Sequence, residues 1–502
     1  MSEPVGPELF FGLVGPIGTD LDVVSSLLVD VLDSEVGYTS NTIRLVDLLR
    51  EFEKWKALPT RPLAEYYDKA MTAGDEFREQ LGRADALALL AIRFLRDQAR
   101  GADRSPTDPR PRHAYVFRSL KQSSEVETLR RTYGDSFFLI GTYAPRTQRI
   151  DFLAKRIAGS SSISPTQEQR HAAEKLVDRD ESEAGVKYGQ AVRDTFPLSD
   201  LFLDVTRPRE EIRTAVVRFI QLVFGHPFIT PTRQEFGMFH AQAAALRSSA
   251  MGRQVGACLS NAEGDIQAVG TNEVPKAMGG QYWGDEQDDR RDFQLGIDSN
   301  DEIKKKNLAE VVSRLQAARC LAPQLMNTPI EDLLVEFAPL LKGTRIMSPI
   351  EFGRAVHAEM SAIIDAGRRG VSTTGSLLYS TTFPCHECAR HIIAAGIRTV
   401  YYIEPYPKSL ARDLHNDAVA IEGEGHGTKV SFIPFVGVAP RQYLNLFQMR
   451  PRKDSEGRAI TWQGRHSLPV ILGPFRSYFE TEDWLGNELK QAMNQTQLSL
   501  SI

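Results

Sequence analysis

Two stretches decide the fold of the second half of this chain: VHAEMSAII at 356–364 and FPCHECARHIIAAGI at 383–397. In the first, His357 and Glu359 stand two residues apart where a helical pattern begins. In the second, Pro384 directly precedes Cys385 and Cys388, and a proline there predicts the first turn of a helix. A strand pattern, Leu377 to Ser380, lies between them, and another follows at Val400 to Ile403. This alternation of helix and strand predicts an α/β layer.

His357, Cys385 and Cys388 are three protein ligands of the kind that hold tetrahedral zinc. Three ligands leave a fourth position for water, as catalytic zinc sites do and structural ones do not. Zinc brings the ionisation of such a water close to neutral pH. Free amides and the helix dipole at a helix start favour thiolate over thiol for the two cysteines. Glu359 stands near enough to exchange protons with that water without being a ligand. Alone, C-x-x-C fits half a structural zinc site or a redox pair, and H-x-E recurs by chance. Both motifs together, in order and ~28 residues apart, point to a catalytic metal. His386 and His391 read as spare histidines, at the surface or beside the site.

The chain has 502 residues, enough for two or more domains. Its 60 basic and 65 acidic residues leave a formal charge of -5, which argues against a protein built to coat nucleic acid. Small anionic substrates remain open. No apolar run reaches the ~20 residues of a membrane span. The start, MSEPVGPELFFGLVG, lacks the basic segment of a signal peptide. Four cysteines are too sparse for a disulfide scaffold, so a cytoplasmic location and no membrane partner are expected.

Near the N-terminus, strand patterns at Phe10 to Val14, Ala114 to Phe117 and Phe137 to Gly141 alternate with helical ones at Leu21 to Leu32 and Ser124 to Tyr133. Ser124 and Glu127 have capping-box spacing. A parallel α/β sheet is expected. Gly12, Gly15, Gly18 and Thr19 in GLVGPIGTD follow a strand and precede a helix, the context in which backbone amides cradle phosphate. Asp20 stands where a phosphate loop continues after its lysine, and no lysine is nearby. Phosphoryl transfer is disfavoured, while nucleotide sensing and a purely structural glycine turn both stay open. The expected division is 1–160, a helical connector at 161–231 that includes an amphipathic helix at Glu210 to Phe224, 232–445 with an insertion at 275–350, and an extension at 446–502.

The segment LLYSTTFPCHECARHIIAAGI, with RQVGACLSN at 253–261 and VGTNEVP at 269–275, resembles the zinc-dependent cytidine deaminase superfamily, most closely its deoxycytidylate deaminase branch. The H-x-E and P-C-x-x-C pair is that superfamily's pattern. The resemblance covers roughly 232–445 and implies a three-layer α/β/α domain. It implies zinc on His357, Cys385 and Cys388, proton transfer by Glu359, and a sugar contact from Asn272. Phosphate contacts are expected from Arg253 and from the YPKS loop, where Tyr406 would meet the base and Lys408 supply charge. The N-terminal layout, SLKQSSEVETLRRTYGDSFFLIGTY at 119–143 and FVGVAP at 435–440 resemble bacterial anti-phage dCTP/dCMP deaminases, whose first domain is a degenerate P-loop kinase-like one. That resemblance implies a deoxycytidine nucleotide substrate, an allosteric nucleotide at the N-terminal domain, a homo-oligomer and, as in some members, a small inhibitory RNA. Three rival readings stay open: a polynucleotide deaminase acting on RNA or single-stranded DNA, a nucleotide-binding sensor, and a nucleotide kinase. The intact Glu359 weighs against the sensor, and the missing lysine against the kinase.

Overall fold

A computed structural model describes residues 6–99, 110–159, 164–182, 189–341, 344–347, 350–421, 427–470, 477–496 and 498. The chain divides into two compact units, Met1–Glu235 with Pro434–Ile502, and Phe236–Ile433.

The first unit is built on a six-stranded sheet. Its strands are β1 (Leu9–Val14), β2 (Thr39–Arg44), β3 (His113–Leu120), β4 (Phe137–Tyr143), β5 (Leu201–Asp204) and a two-residue edge, Gly437–Val438. The order is edge–β5–β4–β1–β3–β2, parallel throughout except for the edge. Every residue of β1 is buried, as expected of a parallel strand covered on both faces. The polar strand β2 (TSNTIR) buries only Ile43, so its sequence carries no apolar run to betray it. A Gln122–Glu125 box caps the helix Ser123–Tyr133, rather than the expected Ser124–Glu127. Glu125 is fully buried and pairs with the equally buried Arg78 at 2.8 Å, which fixes the helix start two residues early.

The region expected as a helical connector contributes β5 to this sheet as well as the helices Gln167–Ser182 and Arg209–Val223. FVGVAP lies here too, with Gly437 paired to Phe202. The C-terminal helix Ser477–Gln495 packs Tyr478, Phe479, Leu485 and Leu489 into the same core as the helix Ala86–Phe94.

The second unit holds β6 (Gly256–Ser260), β7 (Ile266–Thr271), β8 (Leu377–Thr382), β9 (Thr399–Glu404), β10 (Val419–Ile421) and β11 (Val430–Pro434), ordered β10–β11–β9–β8–β6–β7. β6 runs antiparallel to β7 and β8, whereas β8 and β9 are parallel, as are β10 and β11. The β6–β7 turn is closed by Asn261, whose Oδ1 accepts from the Asp265 amide at 2.8 Å. The helix Ala358–Arg368 lies directly on β7. Gly270 permits this: a Cβ there would run into the Ala358 carbonyl oxygen and the Ala362 nitrogen. The insertion forms helices Ser299–Ala317 and Ile330–Leu340 around a small core of Leu308, Val312 and Leu333. Among the described residues, no helix is long and apolar enough to cross a membrane.

Candidate active site

Two helix starts meet over one end of the second unit's sheet. His357 is the extended residue that precedes the helix Ala358–Arg368, so its ring and the carboxylate of Glu359 emerge within the first turn. After β8, Phe383 and Pro384 turn the chain, and Cys385 becomes the cap of the helix His386–Ala394. Its Sγ accepts from the Cys388 amide at 3.4 Å. Pro384 therefore stands just outside the helix rather than in its first turn.

The Nδ1 of His357 lies 3.3 Å from both Cys385 Sγ and Cys388 Sγ, and the three ligand atoms fall within 4.8 Å of one another. On a tetrahedral zinc, N and S ligands sit roughly 3.5–3.8 Å apart, so this set fits the ion with only slight adjustment. Cys388 is 1 % exposed and Cys385 7 %, the dry surroundings in which a metal ligand is not exchanged for water. A hydrogen bond from Cys388 brings the Cys385 thiol down to about 4 against its burial, and His357 adds to the effect. That same bond, burial and the Glu359 carboxylate push Cys388 the other way. Metal binding resolves the asymmetry, because a coordinating thiol is deprotonated outright.

Glu359 is buried, with Oε2 3.3 Å from Cys388 Sγ and Oε1 3.4 Å from Ser380 Oγ. Burial first, and then the negative charge at Cys385, lift its carboxyl above the usual range. A carboxyl shifted in this direction holds a proton more readily than an exposed one, which suits it to return a proton as well as take one. The sequence offered no sign of Ser380, which reaches the site because alternate residues of β8 face the helix layer.

A cavity of about 1050 Å³, its open mouth included, reaches His357, Glu359 and Cys385. Arg253, Asn272 and Tyr406 also line it, so the structure brings these expected residues together. Asn272 is already engaged: its Oδ1 accepts from the Val255 amide at 2.8 Å, and its Nδ2 donates to the Arg253 carbonyl at 2.6 Å. It shapes the loop that carries Arg253. The Arg253 guanidinium lies 6.0 Å from the Tyr406 ring and 3.4 Å from Glu404 Oε2, and is more than half exposed. Lys408 is exposed and outside the cavity, whereas Tyr406 two residues earlier lines it, and Ser409 Oγ donates to the Pro384 carbonyl at 2.8 Å. His391 is exposed on the far side of its helix, and His386 makes no ligand contact. Asp292, Asp298 and Arg354, from the insertion and the segment after it, complete the wall. Arg354 was not legible in the sequence, since it belongs to no motif.

Residues 231–404 match the family model described as the cytidine and deoxycytidylate deaminase zinc-binding region. This stretch belongs to the zinc-dependent cytidine and deoxycytidylate deaminase superfamily. Zinc is the cofactor of the deaminase region, and the His357–Cys385–Cys388 group suits it. The chain is 51% identical over 53 residues to ComE operon protein 2 of Bacillus subtilis (strain 168), which covers 11% of this chain and 28% of that protein. It is 39% identical over 93 residues to a probable deoxycytidylate deaminase of Drosophila melanogaster, 17% of this chain and 44% of that protein. The chain thus spans less than half the length of these curated relatives. A dCMP deaminase from the cyanophage S-TIM5, solved with dCMP and dUMP, aligns with 41% of this chain and 99% of its own, at 18% identity and a TM-score of 0.23.

Proposed function

We propose that the second unit catalyses hydrolytic deamination of a deoxycytidine nucleotide, dCMP or dCTP: water adds at C4 of cytosine, the C4–N bond breaks, and the deoxyuridine nucleotide and ammonia leave. The observation that carries this reading is a buried carboxylate beside three converged metal ligands at the floor of an open cavity. His357, Cys385 and Cys388 hold the zinc, which when bound supplies the Lewis acidity that makes water a nucleophile near neutral pH. Glu359 would take a proton from the attacking water and deliver it to N3, then take the proton of the new C4 hydroxyl and pass it to the departing amino group, so that ammonia leaves as the C4 carbonyl forms. Its burial supports this double duty, because a carboxyl raised above its usual range returns a proton more readily. Arg253 supplies positive charge to the nucleotide's phosphate, and Tyr406 closes on the base.

The whole-chain resemblance supports a setting in the cytoplasm, in anti-phage defence by depletion of dCTP. There the protein acts as a homo-oligomer whose activity answers to a nucleotide at the first unit and to a small inhibitory RNA. The test is ammonia release from dCMP, dCTP, CTP, dATP, single-stranded DNA and RNA by the purified full chain. Deoxycytidine nucleotides should react, and Glu359→Ala should lower turnover ~10²–10⁴-fold while zinc stays bound. Release from oligonucleotides alone would overturn the proposal.

A further inference from the structure

The glycine turn of the first unit advertises a phosphate cradle, yet its donors are spent. Gly12 is a strand residue packed against Leu120, Phe137 and Leu139. The Ile17 amide donates to Asp180 Oδ2 at 2.9 Å, and Thr19 Oγ1 donates to the Pro16 carbonyl at 2.7 Å. Lys121 Nζ donates to Asp180 Oδ1 at 2.9 Å. The zinc-centred cavity of the second unit holds the opposite case in Arg354, which no motif marks.

Arg354 lines that cavity three residues before His357. Its Nη1 donates to Asp292 Oδ1 at 2.7 Å and to the Arg290 carbonyl at 3.1 Å, both in the insertion. Among the described residues, its Nε and Nη2 donate to nothing. One edge of the guanidinium is therefore fixed. The other stays open, a pair of parallel N–H donors spaced for two oxygens of one phosphate. The backbone beneath is pinned on both sides: Ser299 Oγ donates to the Phe352 carbonyl at 3.0 Å, and the Val356 amide to the Glu273 carbonyl at 3.1 Å. Arg354 is partly buried, so water screens its charge less than at an open surface.

The acids on the same wall do not compete for the open edge. Asp292 takes Nη1, and Asp298 accepts from the Asn300 and Asp301 amides at 2.9 and 3.2 Å as the cap of the helix Ser299–Ala317. Three residues of chain reach at most about 10 Å, so Arg354 is rooted within a nucleotide's length of His357. Arg253 stands on a different loop of this wall and is the more exposed of the two arginines.

We propose that Arg354 sets the requirement for a phosphorylated substrate, gripping the 5′ phosphate through Nε and Nη2 while Asp292 of the insertion holds its other edge. The inference rests on the deamination proposed above, and its test compares nucleotide with nucleoside. For the zinc-loaded full chain, kcat/KM is measured with dCMP, dCTP and deoxycytidine. Arg354→Gln should lower it about 10- to 100-fold for the better nucleotide, chiefly through KM, and leave deoxycytidine within about twofold. Arg354→Lys keeps the charge but gives up the fork, and should lose about 3- to 10-fold on the nucleotide alone. It decides the matter should Arg354→Gln misfold. Inhibition constants of dUMP and deoxyuridine give the same comparison from the product side. A merely structural clasp would lower nucleotide and nucleoside in parallel, and that result would overturn the inference. So would an unchanged nucleotide KM in the folded Arg354→Gln chain, or Arg354→Lys indistinguishable from the parent. Turnover of no cytosine compound by the unaltered chain would instead sink the proposed function, and this inference with it.

Discussion

The zinc cluster of the second unit and the arginine cluster of the first are both concentrations of charge at the ends of a sheet, yet they are assembled in opposite ways. The zinc ligands come from two adjoining helix starts, are mostly buried at the floor of the cavity, and depend on a metal to settle which thiol ionises. The arginines, Arg44, Arg118 and Arg156, come from the end of β2, the end of β3 and the last turn of the helix Arg146–Ile157, are partly exposed, and all pair with one carboxylate, that of Asp22. A buried site reaches neutrality by binding an ion permanently. An exposed one can stay unbalanced, because water and salt screen it.

The sharpest way to separate the two is to remove the metal from one of them. Cys388→Ser should abolish zinc binding, read by elemental analysis, and bring turnover to background. Next in size is a pH effect confined to the first unit. His113 on β3 is buried, with Nδ1 2.7 Å from Thr39 Oγ1, and burial and then Arg110 lower its pKa from 6.5 to about 4. The unfolded chain takes up this proton first as pH falls, so the stabilisation is complete above pH ~6.5 and lost on the way down to ~4. It amounts to about 3 kcal/mol. Denaturant melts of the first unit at pH 7 and pH 4.5 should show this loss, and His113→Gln should flatten it.

Smaller is Gly270→Ala. A methyl group between β7 and the helix Ala358–Arg368 should cost ~1–3 kcal/mol of stability through overpacking and lower turnover by misplacing Glu359. Melting temperature and kcat would be measured side by side. Smallest is Lys408→Ala, which should leave kcat/KM within about twofold because the side chain is solvated and outside the cavity. Arg253→Ala, by contrast, should raise KM about tenfold through loss of a charge-assisted contact.

What was legible in the sequence follows the same divide. The His357–Glu359 and Cys385–Cys388 pairs lie within single helical turns, so local spacing already dictates which side chains share a face. The buried strands β1, β3, β4 and β8 announced themselves as apolar runs, whereas β2 is a polar edge and β5 only four residues long. Arg44, Arg118 and Arg156 gave no local signal, because only the sheet order places them around Asp22. The glycine turn misled for a related reason: its spacing suggested a phosphate cradle, and nothing near it in sequence disclosed that Asp180 would fold back onto Ile17. Lys408 shared a loop with Tyr406, but only the tyrosine lines the cavity.

The carboxylate of Asp180 against the Ile17 amide carries one more consequence. It is a tethered anion, held on the glycine turn by the fold itself. Any diffusing anion would have to displace that carboxylate, and break its pairing with Lys121, before it could reach the Ile17 amide.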